Sequence, residues 1–327
     1  MKKKILFIST DSFNYSTYIT RELQNQGWEV TFLNDRPSNS TIMKILIRKF
    51  KFFISGYLDY YYLNHIKDFG VFDHVLIVKG EAVSNKVIDQ IRKNHLNGKI
   101  VLYYWDSICN FIGGVEKAKS ADLVYSFDPK DCKLYGFTHL PLFYIKTNLR
   151  GNDSKSNNQW DISFIGTAHT DRLKVITKVR NQLVGPMYIF IYFQSKLIYF
   201  FYKITNPYFK FFAKEELSLK AIEKNFTTNI YMRSKAILDI EHINQTGLTM
   251  RTLEVLSLGK KLITTNQSIK NYPFFDESII YILDRHKPVI DLNFLESKVV
   301  TNIESKIKRY EISNWIKQLT NAKISDG

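Results

Sequence analysis

Residues 235–266, KAILDIEHINQTGLTMRTLEVLSLGKKLITTN, contain the pattern that decides the fold. The apolar run at 236–240 is typical of a buried parallel strand, and a loop rich in hydrogen-bonding side chains follows it. Thr249 is the expected N-cap of a short helix, Gly259 stands where that helix ends, and Leu262 belongs to the next strand. The helix therefore begins at the carboxyl end of a strand, where open α/β sheets bind their ligands.

Two charged residues of this helix indicate what the ligand is. Arg251 lies in the first turn, where the helix dipole favours an acidic residue, so a phosphate in front of the helix would explain it. Glu254 follows on roughly the same face and could accept hydrogen bonds from a ribose diol. The alternative is that Arg251 and Glu254 form a surface ion pair of little energetic value. The spacing alone leaves both interpretations open.

The segment 247–254, GLTMRTLE, resembles the nucleotide-sugar site of glycosyltransferases with two Rossmann domains, the GT-B fold. It is most similar to the CgeB-like group of bacterial capsular, exopolysaccharide and lipopolysaccharide biosynthesis. The resemblance implies an α/β protein in which two Rossmann-like domains face a cleft. It also implies that Glu254 binds the nucleotide ribose, that Thr249 and Arg251 lie near the diphosphate, and that Gly247 belongs to the nucleotide-sugar-binding loop before them.

The composition indicates a globular protein with an acidic partner. The chain has 327 residues, which is enough for two domains, and its 45% hydrophobic content argues against disorder. A formal net charge of +15 points to nucleic acid, an anionic membrane or a phosphate-bearing substrate. Cys109 and Cys132 lack metal-ligand spacing and suit a reduced, cytoplasmic protein. The opening residues predict a first strand rather than a signal peptide.

Two basic and aromatic stretches predict contact with a membrane surface. No apolar run reaches the roughly 20 residues that span a bilayer. Residues 42–69 and 188–214, however, interleave Lys and Arg with Phe, Tyr and Ile, which suits helices lying on an anionic membrane. The alternative is that these are core-facing helices whose lysines extend to solvent. The expected location is peripheral, on the inner face of the cell membrane.

The first part of the chain alternates strands and helices as a Rossmann-like sheet does. A strand at 3–9, a helix at 15–26 and a strand at 28–33 form a βαβ unit. The unit lacks the G-x-G-x-x-G fingerprint, which argues against a dinucleotide-binding dehydrogenase. Polar residues recur at the carboxyl ends of the predicted strands: Asp11, Lys79, Glu81, Asp106 and Asp128.

Two of these carboxylates are candidate catalytic residues. Ligands bind at the carboxyl edge of such sheets, so we predict that Asp106 or Asp11 acts in catalysis. Asp128 directly precedes a proline and is interpreted as a helix N-cap instead.

A polar, glycine-containing stretch at 148–159 predicts a linker between two domains. We expect an N-terminal acceptor domain over 1–147 and a C-terminal nucleotide-sugar-binding domain over 160–327. Gly166, His169 and Arg172 follow the first strand of the second domain, and the resemblance matches them to a loop that approaches the diphosphate. The residues alone equally allow His169 to be a loop or capping residue.

Three elements are predicted nearer the C-terminus. They are a helix at 215–225, a strand at 279–283 and an amphipathic closing helix at 302–320. In the fold that the chain resembles, such a closing helix often crosses back to the N-terminal domain.

The chemistry expected of such a site is stabilisation of a leaving phosphate, either by a metal on carboxylates or by fixed positive groups and a helix N-terminus. The sequence has no D-x-D motif, but it offers Arg172, Arg251 and a helix start. We therefore expect metal-independent transfer, with no cofactor beyond the nucleotide-sugar co-substrate. An inverting reaction would need a base, for which Asp106 and Asp11 are the candidates.

Three functions stay open at this point. The first is a hexosyltransferase-type enzyme of surface polysaccharide assembly that uses a UDP- or GDP-type donor and a lipid-linked or glycan acceptor. The second is a basic nucleic-acid-binding protein, but no DNA- or RNA-binding module is recognisable, so nucleic acid is not an expected partner. The third is a catalytically inactive scaffold of the polysaccharide machinery with the same fold. The donor sugar, the acceptor and the stereochemistry do not follow from the sequence.

Overall fold

The computed structural model describes residues 2–11, 14–111, 113–147 and 158–321. It divides into two compact units, which we call unit 1, Met1–Ile145 with Tyr310–Gly327, and unit 2, Lys146–Arg309. The division assigns residues 310–321 to unit 1, whereas the sequence placed them with the C-terminal domain. Most of the predicted linker, residues 148–157, lies outside the described residues.

Strands and helices alternate through most of both units. The strands are β1 Lys4–Ser9, β2 Glu29–Asn34, β3 Phe72–Val78, β4 Leu96–Tyr104, β5 Leu123–Ser126, β6 Thr138–His139, β7 Trp160–Thr167, β8 Met187–Tyr192, β9 Leu217–Ser218, β10 Ser234–Asp239, β11 Lys261–Thr264 and β12 Ile280–Ile282. The α-helices are α1 Tyr15–Asn25, α2 Thr41–Lys49, α3 Lys51–Ile66, α4 Asn85–His95, α5 Gly114–Ala118, α6 Pro129–Tyr135, α7 Arg172–Arg180, α8 Lys196–Thr205, α9 Lys224–Met232, α10 Met250–Ser257, α11 Leu292–Glu296, α12 Ile303–Ile307 and α13 Ile312–Thr320.

Each unit is built on a parallel six-stranded sheet with helices, and the predicted pair of Rossmann-like domains is confirmed. The strand order is β2-β1-β3-β4-β5-β6 in unit 1 and β12-β11-β10-β7-β8-β9 in unit 2. The order reverses between β1 and β3 in unit 1 and between β7 and β10 in unit 2. Such reversal points open a crevice at the carboxyl ends of the strands, so each unit has one preferred place for a ligand.

The cores follow from the strands, which are apolar on both faces because helices cover both sides of a parallel sheet. In unit 1, residues 5–8 of β1 and 75–78 of β3 are fully buried. In unit 2, the central strand β10 buries residues 236–238 completely. The ends of these strands are therefore held rigidly, and so are the polar residues that follow them.

Side-chain caps fix several helix starts that the sequence indicated. The side chain of Thr249 accepts a hydrogen bond from the backbone N–H of Thr252 at 3.2 Å, which starts α10. Gly259 follows that helix with a left-handed φ of 65°, as expected of a C′ glycine. Asp128 accepts from the N–H of Lys130 at 3.0 Å, so its predicted role as N-cap of α6 is confirmed.

Three helix predictions are wrong in their bounds. The predicted helix at 215–225 is replaced by β9 and then α9, because residues 217–218 pair with the edge strand β8. The stretch 188–214 is not one helix, since its first residues form β8 and only 196–205 are α-helical. The stretch 42–69 forms two helices that meet at Phe50, which is the C-cap of α2.

The predicted closing helix at 302–320 is also interrupted. Tyr144 donates its backbone N–H to the carbonyl of Tyr310, and the N–H of Ile312 donates to the carbonyl of Tyr144, each at 3.0 Å. These bonds hold the intervening Glu311 in an extended conformation, so α12 and α13 are separate helices. Trp315 of α13 is buried against Tyr103, with ring centroids 4.8 Å apart, and this helix thus packs within unit 1.

The apolar helices are short relative to a bilayer. No α-helix among the described residues is both long and apolar enough to cross a membrane.

Candidate functional site

The predicted nucleotide-sugar site lies at the reversal point of the unit 2 sheet, where β7 and β10 end. β7 leads through a loop into α7, and β10 leads through the loop 240–249 into α10. Both helices therefore begin at the edge where the two strands end. Their free N–H groups give this edge a positive potential before any side chain is considered.

Asp239, the last residue of β10, organises the start of α10. Its carboxylate accepts hydrogen bonds from the hydroxyls of Thr249 and Thr252, both at 2.6 Å, and pairs with the Arg251 guanidinium at 2.8 Å. Its side chain is only 1% exposed, so these bonds are shielded from water. Arg251 is thus not in a surface ion pair with Glu254, and that alternative is wrong.

A missing side chain at position 166 makes room for two arginines. A Cβ added to Gly166 would lie 2.8 Å from Nη2 of Arg251 and 3.3 Å from Nη1 of Arg172. Both guanidinium groups also lie over the buried ring of Phe164, 5.4 Å and 5.8 Å from its centroid. The end of β7 therefore brings Gly166, Arg172 and Arg251 together. The resemblance places all three near a diphosphate, and that role stays a prediction.

The two guanidinium groups are fixed in different ways. Arg172 donates to the carbonyl of Ile240 and, at 2.9 Å, to that of Thr167, so it ties the two strand ends together. Arg251 has no hydrogen-bond partner at Nε among the described residues, although that atom is buried. Burial and then the neighbouring Arg251 together lower the pKa of Arg172 to about 9. An anion at this place would relieve the repulsion between the two cations.

A third arginine adjoins them and was not singled out from the sequence. Arg285, which follows β12, pairs with Asp171 at 2.8 Å and with Glu241 at 2.6 Å. Glu241 also accepts a hydrogen bond from Thr265. These bonds link the segments after β10, β11 and β12, so the edge is a connected polar network.

His169 is held as a neutral imidazole in the loop between β7 and α7. Burial and then the neighbouring charges, among them Arg172 and Arg251, lower its pKa to about 2. Its ring lies 5.2 Å from that of His242, and Nδ1 is 3.1 Å from the hydroxyl of Thr170. Thr170 has a left-handed φ of 47°, a strained conformation for a β-branched residue that is commonest at functional sites. His169 can therefore hydrogen-bond a ligand without carrying a charge itself.

Gly247 and Glu254 complete the predicted set in unit 2. The carbonyl of Gly247 accepts from the amide of Asn266 at 3.1 Å, which anchors the loop before α10. Glu254, one turn into α10, pairs with Lys224 of α9 at 3.1 Å and has a side chain that is 20% exposed. Its carboxylate thus reaches solvent while one oxygen is held by a lysine.

The two predicted catalytic carboxylates belong to unit 1. Asp106 follows β4 and pairs with Lys79 at 2.7 Å, and its side chain is 46% exposed. Asp11 follows β1 and accepts from the hydroxyl of Ser16 at 2.7 Å. Each follows a strand whose carboxyl end lies at the expected edge, but their contacts differ and no hydrogen bond joins them to one another among the described residues.

Four site residues were missed by sequence reasoning: Phe164, Asp239, Glu241 and Arg285. Each lies in or directly after a strand of unit 2, so the rule that polar residues at strand ends form the site would have found the last three. Among the described residues, no group of three or more His, Cys, Asp or Glu side chains could hold a metal ion.

Comparisons with known proteins bear on the fold. No protein-family model matches this sequence, and no curated protein sequence matches it. The chain is similar to the N-terminal domain of trehalose-6-phosphate phosphatase from Candida albicans, with a TM-score of 0.66 and 10% identity over 97% of this chain and 96% of that one. It is also similar to α,α-trehalose 6-phosphate synthase from Burkholderia multivorans, with a TM-score of 0.58 and 9% identity over 97% and 95% of the two chains.

A third similar structure, HepE from Anabaena, is a complex with UDP and glucose. The TM-score is 0.53, with 9% identity over 98% of each chain. Identities this low establish the architecture alone. The predicted fold class is confirmed: the chain has two Rossmann-like domains and the GT-B fold.

Proposed function

We propose that this chain is a glycosyltransferase that takes a sugar from a nucleotide-sugar donor. The observation that carries the proposal is the reversal point of the unit 2 sheet, where Gly166 leaves room for the guanidinium groups of Arg172 and Arg251. Arg251 already pairs with Asp239, but Arg172 makes no ion pair among the described residues, so a nucleoside diphosphate would supply its counter-charge. The start of α10 supplies further N–H donors. The GT-B fold and the similarity to a UDP complex support the same class of ligand.

Each residue of the site has a role in this proposal. Arg172 and Arg251 stabilise the charge that develops on the departing diphosphate, and they do so from fixed positions, so little reorganisation is needed as the sugar bond breaks. Thr249 holds the start of the helix, Glu254 accepts from the ribose diol, and the neutral His169 hydrogen-bonds the phosphate or sugar.

The leaving group is stabilised without a metal in this proposal, because two fixed guanidinium groups and a helix N-terminus can neutralise a diphosphate. Asp106 or Asp11 of unit 1 serves as the base that accepts the proton of the acceptor hydroxyl. We therefore expect the enzyme to turn over equally fast with and without excess EDTA.

The biological setting that we propose is the assembly of bacterial surface polysaccharide on a lipid-linked or glycan acceptor at the inner face of the membrane. The resemblance of the segment 247–254 to CgeB-like enzymes supports the pathway. Exposed aromatic residues in α3 and α8 support a peripheral membrane location, with basic residues supplied by α2, by the start of α3 and by α8.

The proposed role of Glu254 in binding the ribose can be tested by comparing variants of Glu254 with variants of its ion-pair partner, Lys224. We expect Glu254→Gln to weaken binding of the preferred nucleoside diphosphate about tenfold, since hydrogen bonds to a charged acceptor contribute about 1.5 kcal/mol or more. Lys224→Met removes the same ion pair from the other side and should change that affinity less than about threefold. Release of UDP or GDP from a panel of nucleotide sugars measures activity in parallel.

Equal effects of the two variants would mean that Glu254 serves only the ion pair. A panel in which neither UDP-sugars nor GDP-sugars are hydrolysed or transferred would instead favour the inactive scaffold.

A further inference from the structure

A second cluster of cations lies at the carboxyl edge of the other sheet, in unit 1. A shallow cleft follows the carboxyl ends of β3 and β4, and its lining includes Arg48, Lys51, Lys79 and Lys117. Its enclosed volume is only about 10 Å³, the space of about one water molecule, so an anion bound here would sit at the open mouth of the cleft. Arg48 and Lys51 come from the junction of α2 and α3, and Lys117 comes from α5. Lys79 follows β3, so three separate segments bring positive charge to one place.

One carboxylate in the cleft already serves several of these cations. Glu81 pairs with Arg48 at 3.4 Å, with Lys79 at 3.5 Å and with the buried Arg36. Lys51 donates to the backbone carbonyl of Glu81 at 2.5 Å. Although burial acts to raise it, Lys79 and Arg36 hold the pKa of Glu81 down to about 2. Glu81 is therefore ionised, and its single charge is shared by three cations.

Three further carboxylates nearby, Asp35, Asp59 and Asp106, offset only part of the remaining charge. Asp35 is fully buried and accepts backbone N–H groups, that of Glu81 at 2.6 Å and that of Ala82 at 3.1 Å. Asp106 is bound to Lys79 alone of the four lining cations. The five cations, counting Arg36, thus outnumber the four carboxylates near them by one.

Lys117 is the cation whose position calls most strongly for a ligand. It is 5% exposed and lines the cleft, and its side-chain ammonium makes no hydrogen bond and no ion pair within 4.0 Å among the described residues. Burial, reinforced by Lys51, lowers its pKa to about 7. Gly80 beside it has a φ of 65°, and an added Cβ would lie 3.5 Å from Nζ of Lys117. A buried ammonium without a partner is costly, and an anion in the cleft would remove that cost.

We propose that this cleft binds the phosphate or diphosphate group of a phosphorylated acceptor. Phosphate oxygens match the guanidinium of Arg48 and the ammonium groups of Lys51, Lys79 and Lys117. The assignment to the acceptor rests on the proposed glycosyltransferase function, whereas the binding of phosphate rests on unit 1 alone.

The surface beside Arg48 and Lys51 fits an acceptor with a hydrocarbon chain. Phe52 and Phe53, the next residues of α3, are 86% and 81% exposed. Apolar side chains so exposed, next to a cationic cleft, match a lipid whose head is a phosphate. A soluble sugar phosphate shares the head chemistry but not the chain.

Titration calorimetry of the full chain with inorganic pyrophosphate tests the site, with excess UDP present to occupy unit 2. We expect a single site, weakened at least tenfold by Lys117→Met and by Arg48→Gln. Lys119→Met is the matched control: Lys119 is exposed and pairs with Glu116 at 2.9 Å, so its loss changes the net charge equally and should leave affinity unchanged. Arg48→Gln, at a side chain that is 45% exposed, keeps the test valid if Lys117→Met does not fold.

Pyrophosphate binding that is absent, or that both variants retain, would overturn the proposal. The variants lie in unit 1. A failure of UDP to bind would therefore contradict the donor site in unit 2, but the effect of the variants on pyrophosphate binding could still be interpreted. Farnesyl phosphate and inorganic phosphate distinguish the two sources of the head group: both should bind, and tighter binding of farnesyl phosphate would identify a lipid acceptor.

Discussion

Gly166 is the residue on which the arrangement of the two arginines depends most directly. We expect Gly166→Ala to weaken nucleoside diphosphate binding about tenfold, because a Cβ at 2.8 Å from Nη2 must displace a guanidinium that Asp239 holds in place. Gly56→Ala, in the interior of α3 with nothing within 4 Å of the added Cβ, is the control and should leave affinity unchanged. Calorimetric titration of both variants measures the difference, and equal affinities would show that the arginines do not contact the nucleotide.

The burial of Lys117 leads to a second prediction, which concerns the free energy of unfolding. Its pKa is about 7 in the folded protein and near 10.4 in an unfolded chain. Between these values the folded state binds fewer protons, so the buried charge destabilises the protein most below pH 7 and less as pH rises toward 10. Lys117→Met should therefore raise the free energy of unfolding in urea at pH 6, with a smaller gain at pH 9. A loss of stability at pH 6 would show instead that Lys117 is a structural counter-ion.

Single residues were predictable where their role is local. Thr249 and Gly259 were correctly placed because capping depends on neighbours a few positions away. Asp239 was not found, because its partners lie 10 to 13 residues further along and meet it only once the loop has folded back. The sequence analysis therefore assigned the negative charge opposite Arg251 entirely to a ligand. Part of that charge is the carboxylate of Asp239, at the end of β10.

At the scale of elements, α10 depends on one hydroxyl. Thr249→Ala should destabilise the protein by about 1 kcal/mol through the lost cap, and weaken nucleotide binding as well, because Thr249 also donates to Asp239. Ser195→Ala removes the cap of α8 at similar cost and should leave nucleotide binding unchanged. Urea unfolding and calorimetry separate the two effects, whereas Thr249→Ser should restore both.

The elements that the sequence misassigned are those whose state is decided by a partner. Strands β1, β3 and β10 were recognisable because each contains a continuous, fully buried apolar run, at 5–8, 75–78 and 236–238. The two-residue strand β9 exists only through its pairing with β8, and the break before α13 exists through hydrogen bonds to Tyr144. The periodicity of the sequence within these segments does not reveal such long-range hydrogen bonds. A continuous helix was therefore predicted in each segment, and that prediction is wrong.

The whole molecule carries its exposed apolar residues in a pattern that predicts membrane binding. Phe52 and Phe53 in α3, and Leu197 and Ile204 in α8, are each more than 70% exposed. We expect co-sedimentation with anionic vesicles, stronger than with neutral ones, and at least a tenfold loss in the double variant Phe52→Ser, Phe53→Ser, since burying a Phe contributes about 1.5–3 kcal/mol.

Val184 provides the matched control for this experiment. It is 97% exposed and lies outside the two basic stretches, so Val184→Ser should bind vesicles as the unaltered chain does. If the double Phe variant bound vesicles as strongly as the unaltered chain, α3 would be excluded as the membrane contact.

The most direct test of the whole account compares nucleoside diphosphates with monophosphates by calorimetry on the full chain. We predict that UDP or GDP binds at one site, and at least tenfold more tightly than UMP or GMP, because Arg172 and Arg251 would engage the second phosphate. Equal affinities for the two nucleotides, or no binding of either diphosphate, would contradict the assignment of the unit 2 edge as a nucleotide-sugar site.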